Sequence, residues 1–378
     1  MSTGAPRIAL VLGGGALKGF AHIGALRALA EHGVRPSLFA GSSIGALIAA
    51  AAAGGMAIDE MAERALALRR KDLFRINHMG MLLDRMQSRS IYLEAPLRAL
   101  CDQVVPEGTF ADLPHRLLVT AVDVERGTEL VWGTPGLRDV SVRDAVYASC
   151  ALPGFFPPGH VGARTCIDGG TTDNLPVGIA ALGADAIIAI DVGNADVPEV
   201  AGFGEHGFAS VYMRAATIMM HTLQARQLER WHGAPTLLVR PPVSHIGWFS
   251  FHHTAELISA GYDAMREALR HFDRVLSAHG GVFPRRQVSV HVRESACTGC
   301  GLCVAMAPHV MAIDARGKAF APNPNLEWSP ADGTFVRQCP TGAIVVTDPT
   351  GGDTPHAEVP QAVPTATPRS HEPLPVAP

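Results

Sequence analysis

The sequence predicts an α/β protein in two parts, a large three-layer domain followed by a small α+β domain. Three observations lead to this prediction. Apolar strand-like runs alternate with helical patterns through most of the first 280 residues. A Gly-x-Ser-x-Gly turn at residues 41–45 separates one such strand from a helix. Three closely spaced cysteines, Cys297, Cys300 and Cys303, mark a separate C-terminal region.

The spacing of apolar residues gives the expected elements. Strands are expected at Ile8–Leu12, Leu38–Ala40, Leu117–Val124, Glu129–Val131, Ala186–Ile190 and Thr236–Val239. Helices are expected near Lys18–Ala30, Ile44–Ala53, Ile58–Leu68, Val142–Ala148, Ser210–Trp231 and Thr254–Ala278. This alternation favours a three-layer arrangement in which functional turns follow the carboxyl ends of strands.

The turn that carries Ser43 is the most informative element. The predicted strand Leu38–Ala40 precedes it, and the run Ala46–Ala53, almost entirely Ala, Leu and Ile, predicts a helix behind it. Gly41 and Gly45 permit a sharp turn that holds the Ser43 hydroxyl at the helix N-terminus, where developing negative charge is stabilised. The pattern predicts a nucleophilic serine, and a tightly packed strand–helix turn is the alternative.

A glycine loop follows the first predicted strand, at Gly13 to Gly15, with Lys18 and Gly19 just after it. Such a loop exposes consecutive backbone N–H groups at the start of a helix and can bind an anion, either a phosphate or the oxyanion of a tetrahedral intermediate. The spacing fits neither the dinucleotide motif nor a P-loop, so nucleotide binding is disfavoured.

A carboxylate completes the constellation, because Asp168 follows Ile167 at a predicted strand end and precedes Gly169 and Gly170, which let the chain turn away. Ester hydrolysis needs a nucleophile, a group that takes its proton, and donors aimed at the oxyanion. Ser43, Asp168 and the glycine loop are the corresponding candidates.

Three blocks in this order resemble the signature blocks of the patatin-like phospholipases: Gly-Gly-Gly-x-x-Lys-Gly at 13–19, Gly-x-Ser-x-Gly at 41–45 and Asp-Gly-Gly at 168–170. The likeness covers roughly residues 6–270. It implies a patatin-like fold and lipid ester substrates. It also implies that Ser43 is the nucleophile, Asp168 its partner, and Gly13, Gly14 and Gly15 the oxyanion hole.

The identity of the catalytic base leaves an alternative. The resemblance implies a Ser–Asp dyad without histidine, in which burial raises the proton affinity of the carboxylate. Histidines that follow the acid, as in α/β-hydrolases, are the competing bases; they are His206, His221, His245, His252 and His253.

Three further polar residues near these motifs have ordinary structural explanations. His22 lies on the helix after the glycine loop and is expected to be packed. Lys18 either supports the oxyanion loop or caps nearby carbonyls from solvent. Asp191 ends a predicted strand and is expected to orient a loop.

The C-terminal cysteines have the spacing of an iron–sulfur site. Cys297, Cys300 and Cys303 form a C-x2-C-x2-C run, and Cys339-Pro340 follows about 35 residues later, which supplies four thiolates for one cubane cluster. Zinc would prefer two separated C-x-x-C pairs. Residues 288–347 resemble bacterial single-cluster ferredoxins, which implies one [4Fe–4S] cluster. Many such ferredoxins are acidic, whereas residues 281–347 hold six Arg and Lys against four Asp and Glu.

Composition and the positions of glycine- and proline-rich segments predict the domain organisation. We expect a patatin-like domain at 1–280, a linker at 281–287, an iron–sulfur domain at 288–347 and a disordered proline-rich tail at 348–378. The net charge of −4 offers no electrostatic case for nucleic acid binding. Cys101, Cys150 and Cys166 are scattered and are expected as buried thiols, which favours a reducing, cytoplasmic compartment.

Three apolar stretches of the sequence are candidates for contact with a membrane or an acyl chain. The run Leu38–Ile58 is long enough to span a bilayer, but a buried strand, turn and helix explain it better. Leu73–Met86 and Ile246–Phe251 are candidates for an acyl site, a lid or an interfacial patch, and ordinary core is the competing explanation.

The sequence thus predicts a serine acyl hydrolase fused to an iron–sulfur domain that senses redox state or transfers electrons. A lipid or acyl ester is the expected substrate. Peripheral membrane contact and a redox partner protein are left open. The alternative is a redox or lipid-binding protein whose first domain does not turn over.

Overall fold

The computed structural model describes residues 5–78, 90–193 and 207–348. The chain divides into two compact units between Arg285 and Arg286, and Ser329–Ala331 belong to the first unit. The division falls inside the predicted linker 281–287, whose role as a linker stays a prediction. Of the predicted tail, residues 349–378 lie outside the described residues.

The first unit is built on one mixed sheet. Within the described residues it contains nine strands: β1 (Ile8–Leu12), β2 (Leu38–Gly41), β3 (Arg116–Asp123), β4 (Thr128–Trp132), β5 (Gly159–Val161), β6 (Arg164–Asp168), β7 (Ala186–Ile190), β8 (Thr236–Val239) and β9 (Val282–Phe283). Their order is β5-β6-β3-β2-β1-β7-β8-β9, and β4 also pairs with β3. The strands from β3 through β9 in this order pair in parallel, whereas β4, β5 and β6 pair antiparallel.

Helices cover both faces of this sheet. They are α1 (Ala21–Glu31), α2 (Ile44–Ala53), α3 (Ile58–Ala67), α4 (Arg70–Leu73), α5 (Glu94–Val104), α6 (Val142–Cys150), α7 (Val177–Ala180), α8 (Phe208–Glu229), α9 (Thr254–Leu269) and α10 (Phe272–Ser277). Strand β1 shows why three layers form, because Leu10 and Leu12 pack into one core while Ala9 and Val11 pack into another. The predicted three-layer fold is confirmed.

Two predicted helices differ from those observed. Lys18–Ala30 begins as a 3-10 turn, Ala16–Phe20, before α1. Thr254–Ala278 is two helices, because the N–H groups of Arg270 and His271 donate to Glu267 and Ala268, three residues back, and end α9. The sequence-based prediction also missed α4, α5, α7, β5 and β9.

The run Leu38–Ile58 folds as β2, the Ser43 turn and α2, before α3 begins. No helix in the described part of the chain is long and apolar enough to cross a membrane.

The second unit is a small α+β domain, as predicted. Strand β10 (Arg286–Val292) pairs antiparallel with β13 (Asn325–Trp328) and β14 (Ile344–Thr347), and β11 (Ala312–Ile313) pairs with β12 (Ala319–Phe320). The helices are α11 (Leu302–Met306) and α12 (Thr334–Arg337). Val288, Val290, Trp328, Phe335 and Ile344 are among its buried core residues.

Candidate active site and cysteine pocket

The glycine loop and the Ser43 turn lie side by side at one edge of the sheet. Strands β1 and β2 are parallel neighbours, and their last residues, Leu12 and Gly41, are paired in register. The glycine loop and the Ser43 turn therefore leave the sheet at the same level. A Cβ at Gly45 would collide with the Leu12 carbonyl oxygen, so glycine at this position lets α2 pack directly on the end of β1.

Ser43 has the strained backbone of a nucleophile elbow. Its φ of 54° and ψ of −128° lie outside the regions that side chains favour. The Ser43 N–H donates to Ser149 Oγ at 2.9 Å, and Ser149 is fully buried on α6. This hydrogen bond satisfies the amide in the strained turn and fixes the direction of the Ser43 side chain.

The Ser43 hydroxyl donates to Asp168 Oδ2 at 2.6 Å. Asp168 ends β6, opposite Ala121 of β3, and its Oδ1 accepts the Gly170 N–H at 2.8 Å. Burial raises the pKa of Asp168 to about 6, against the opposing effect of its hydrogen bonds from Ser43 and Gly170. A carboxylate in this position can exchange a proton with the serine near neutral pH.

The backbone N–H groups of the glycine loop have two roles: two of them hold the loop in place and the next two lie at the pocket. The Gly13 N–H donates to Ile190 O at 3.0 Å, and the Gly14 N–H donates to Asn174 O at 3.1 Å. Among the described residues, no partner is recorded for the N–H groups of Gly15 and Ala16, which line the pocket with Ser43 and Asp168. Ala16 has a φ of 50°, a strained backbone conformation for alanine. Backbone strain of this kind is concentrated at functional sites.

Two buried side chains brace this loop. Asn174 Nδ2 donates to Gly14 O at 3.2 Å and to Gln224 Oε1 of α8 at 3.1 Å. His22 Nε2 donates to Gly13 O at 2.8 Å, and burial lowers the pKa of His22 to about 4. His22 is therefore neutral and packed, in agreement with the sequence-based expectation.

Neither Lys18 nor Asp191 is among the residues that line the pocket beside Ser43. Lys18 is buried, and burial lowers its pKa to about 8. Asp191 accepts from Arg240 Nε at 3.0 Å and from the Gly193 N–H at 3.2 Å, which makes it a loop-orienting residue.

The candidate histidine bases are dispersed. His221 lines the same pocket as Ser43. His245 and His253 each contact a carboxylate oxygen of Glu256 at 2.7 Å on the surface. His206 lies outside the described residues.

The pocket beside Ser43 has a mainly apolar lining. Its lining includes Leu73 and Phe74 from one predicted acyl-binding stretch and Trp248 and Phe249 from the other. Residues 79–86 of the first stretch lie outside the described residues. The Trp248 carbonyl also accepts the Leu17 N–H at 3.0 Å, which joins the aromatic segment to the glycine loop.

In the second unit, all four predicted cysteine ligands line one pocket. Cys297, Cys300, Cys303 and Cys339 are all part of its lining. The Ala319 N–H donates to Cys297 Sγ at 3.5 Å and the Ala343 N–H to Cys339 Sγ at 3.3 Å. Amide N–H groups that donate to cysteine sulfurs orient the ligands of an iron–sulfur cluster and tune its potential. These residues therefore fit an iron–sulfur cluster.

The pKa shifts of the pocket cysteines do not share one direction, because burial raises the pKa of the Cys303 thiol. Burial alone would raise the pKa of Cys339, but hydrogen bonds from the Thr341 and Ala343 N–H groups lower it. Cys101, Cys150 and Cys166 are buried and unpaired, as expected. No group of three or more described His, Cys, Asp or Glu residues is arranged to hold a metal ion. A cubane cluster instead takes its thiolates at four separate corners.

Residues 10–181 match the family model described as patatin-like phospholipase, a span that contains the glycine loop, Ser43 and Asp168. The chain carries a patatin-like phospholipase domain. A second model, the 4Fe-4S single cluster domain, matches residues 290–327, which contain the three closely spaced cysteines but not Cys339.

Curated proteins similar to this chain include an NTE family protein and a lysophospholipase. An NTE family protein of Mycobacterium tuberculosis is 37% identical over 194 residues, half of this chain and half of that protein. A lysophospholipase of Aspergillus fumigatus is 28% identical over 296 residues, 68% of this chain and 18% of that protein. The chain spans about half the length of the first curated relatives it matches. Among solved structures, VipD from Legionella pneumophila has a TM-score of 0.37 and 15% identity, covering 74% of this chain and 68% of its own.

The sequence did not reveal several residues of the site. Ser149 directly follows the predicted helix Val142–Ala148 and Asn174 follows the Asp168 block, in both cases without a distinctive pattern. Gln224 and Ala16 carry no sequence signal, because their roles depend on partners that folding brings together.

Proposed function

We propose that this protein is a serine acyl hydrolase that acts on lipid esters through a Ser43–Asp168 dyad. The 2.6 Å hydrogen bond between the Ser43 hydroxyl and a buried carboxylate with a raised pKa carries the proposal. No described histidine has a recorded hydrogen bond to Ser43 Oγ, and the hydroxyl proton is directed at Asp168.

The dyad can perform both halves of the reaction. Ser43 Oγ attacks the ester carbonyl while its proton passes to Asp168 Oδ2. The C–O bond to the alcohol then breaks, and protonated Asp168 returns the proton to the leaving oxygen. Water attacks the acyl-Ser43 ester, Asp168 takes a proton from that water, and the fatty acid leaves as Ser43 is reprotonated.

The oxyanion is assigned to the N–H groups of Gly15 and Ala16. These line the pocket without a recorded partner, whereas the N–H groups of Gly13 and Gly14 already hold the loop. Gly13 and Gly14 therefore take a supporting part in the predicted oxyanion hole. Donors fixed before the reaction stabilise the tetrahedral intermediate without reorganisation.

A lipid ester is the proposed substrate because the pocket beside Ser43 is lined mainly by apolar side chains. The Aspergillus relative is named a lysophospholipase, which is consistent with this class of substrate.

For the second unit we propose one [4Fe–4S] cluster held by Cys297, Cys300, Cys303 and Cys339. When bound, such a cluster supplies one-electron redox chemistry. Ester hydrolysis needs no electrons, so the domain is assigned to redox sensing or to electron transfer with a partner protein. The amides of Ala319 and Ala343 would orient the Cys297 and Cys339 sulfurs.

Hydrolysis of a long-chain p-nitrophenyl ester and of lysophosphatidylcholine tests the proposal. Ser43→Ala should abolish activity, and Asp168→Asn should lower it by at least about 100-fold. Ser42→Ala is the matched control, because the Ser42 hydroxyl is buried one residue away without a partner in the described structure. His221→Ala tests the competing base.

Full activity in Ser43→Ala would contradict the hydrolase. Activity retained in Asp168→Asn but lost in His221→Ala would contradict the dyad. Absence of any Ser43-dependent hydrolysis would favour the lipid-binding or electron-transfer alternative.

A further inference from the structure

The long helix α8 forms a wall of the candidate active site. One of its faces lines the pocket through Thr217, Met220, His221 and Gln224. Leu228, one turn beyond Gln224 on the same face, is also buried. This face accounts for how α8 is attached to the domain.

The opposite face of α8 is apolar and exposed. Tyr212, Met219 and Leu223 are 49%, 57% and 48% exposed, and Val211 and Ile218 flank them at 46% and 45%. Five of the fourteen exposed large hydrophobic residues in the described structure thus lie on this helix. We call Val211, Tyr212, Ile218, Met219 and Leu223 the outer stripe. Several large apolar side chains exposed along one face of a helix mark an interaction surface.

The charges of α8 indicate what the outer stripe contacts. From Gly207 to Leu228 the sequence has no Asp or Glu. Arg226 and Arg230 follow Leu223 by three and seven residues, so they continue the stripe at helical spacing, and both are exposed. An apolar strip that ends in two arginines is complementary to a surface with an apolar interior and anionic headgroups.

A second copy of this chain fits the stripe less well. In a two-fold contact the same patch meets itself. Pairing of two such helices would bring arginines from both copies to one interface, while neither helix offers an acidic residue before Glu229. Charge complementarity therefore favours an anionic lipid bilayer.

We propose that the outer stripe of α8, with Arg226 and Arg230, docks the protein on an anionic lipid bilayer. This inference rests on the proposed function, because a lipid substrate must reach the pocket from such a surface. The docked helix is about 10 Å in diameter. Its inner face would remain in the pocket wall while its outer face contacts acyl chains, so the bilayer would lie one helix away from the acyl site.

The test uses full-length protein in the Ser43→Ala background, which binds without turnover, and co-sedimentation with vesicles of phosphatidylcholine containing phosphatidylglycerol. Met219→Glu with Leu223→Glu should weaken binding at least about tenfold. Arg226→Gln and Arg230→Gln should each weaken it about fivefold, the equivalent of about 1 kcal/mol, with no effect on residual binding to pure phosphatidylcholine. Leu182→Glu is the matched control, because Leu182 is 67% exposed and lies outside α8.

A second measurement separates docking from catalysis. With Ser43 intact, Met219→Glu/Leu223→Glu should retain hydrolysis of a soluble short-chain ester but lose hydrolysis of vesicle phospholipid. Vesicle binding unaffected by these changes would overturn the proposal, as would a dimer that they dissociate. Failure of the hydrolase proposal would appear separately, as activity that persists without Ser43.

Discussion

Ser43 and Asp168 lie 125 residues apart in sequence, yet the hydroxyl of one donates a 2.6 Å hydrogen bond to the carboxylate of the other. Two separate strands produce this contact. Strand β2 delivers Ser43 to the elbow, and β6 returns antiparallel beside β3 to place Asp168 at the same edge of the sheet. The account of function depends on this contact.

The pH dependence of hydrolysis should follow Asp168. Burial raises its pKa to about 6, and the base must be unprotonated to accept the serine proton. We expect kcat/KM to rise with pH through an apparent pKa near 6 and to level off above it. A rate profile from pH 4.5 to 8 checks this. If the rise of kcat/KM with pH disappears in His221→Ala, the titrating group is the histidine and not Asp168.

Asp168 should also cost the fold stability at neutral pH. Its pKa is higher in the native state than in the unfolded chain, where a carboxyl titrates near 3.8. Its stabilising contribution is therefore complete below about pH 4 and is lost as the pH rises through about 6. We expect the Tm of Asp168→Asn, relative to wild type, to increase by a few degrees between pH 4 and pH 7.

Asp123 provides the control of opposite sign. Burial would raise its pKa, but hydrogen bonds from Arg126 and Arg164 lower it. Its contribution is present above the unfolded pKa of 3.8 and is lost as the pH falls through the lower folded-state pKa, so Asp123→Asn should lower Tm more at pH 7 than at a pH well below 3.8. Equal pH trends in the two variants would contradict the assignment of a raised pKa to Asp168.

The Asn174 side chain should act by positioning the glycine loop. Its Nδ2 holds the Gly14 carbonyl, next to the donors of Gly15 and Ala16. Asn174→Asp keeps the shape but cannot donate, so we expect kcat to fall about tenfold or more with little change in KM. Gln227→Ala, which removes a different α8 side chain that contacts Asp173, is the control. A change confined to Tm would indicate a purely structural role.

The cysteine pocket should be specific for its four thiolates. Cys300 is exposed and has no packing role, so Cys300→Ser should abolish incorporation of iron and acid-labile sulfide without unfolding the patatin-like domain. Cys166→Ala, at a buried cysteine of β6, should leave the iron content unchanged. Anaerobically purified protein should be used for both. Equal iron content in Cys300→Ser and wild type would contradict the proposed ligand set.

Sequence patterns revealed the parts of the site that depend on local structure. Ser43 and Asp168 each follow a strand and precede glycines, so their motifs could be recognised without the fold. The division of donors in the glycine loop could not be predicted, because it depends on the carbonyls of Ile190 and Asn174, far away in sequence.

The exposed stripe of α8 was hidden for a related reason. Apolar residues lie on two opposite faces of the helix, with Met220 and Leu228 on the inner face and the outer stripe on the exposed face, so periodicity alone does not distinguish core from surface. The stretch Ile246–Phe251, a candidate interfacial patch from sequence, instead contributes Trp248 and Phe249 to the pocket lining.

Mass spectrometry of the quenched reaction tests the central claim most directly. Protein turning over a long-chain p-nitrophenyl ester should carry an acyl group on the peptide that contains Ser43, and Ser43→Ala should show neither adduct nor turnover. An adduct on another residue, such as Cys150 in the same pocket, or turnover that persists in Ser43→Ala, would contradict the mechanism.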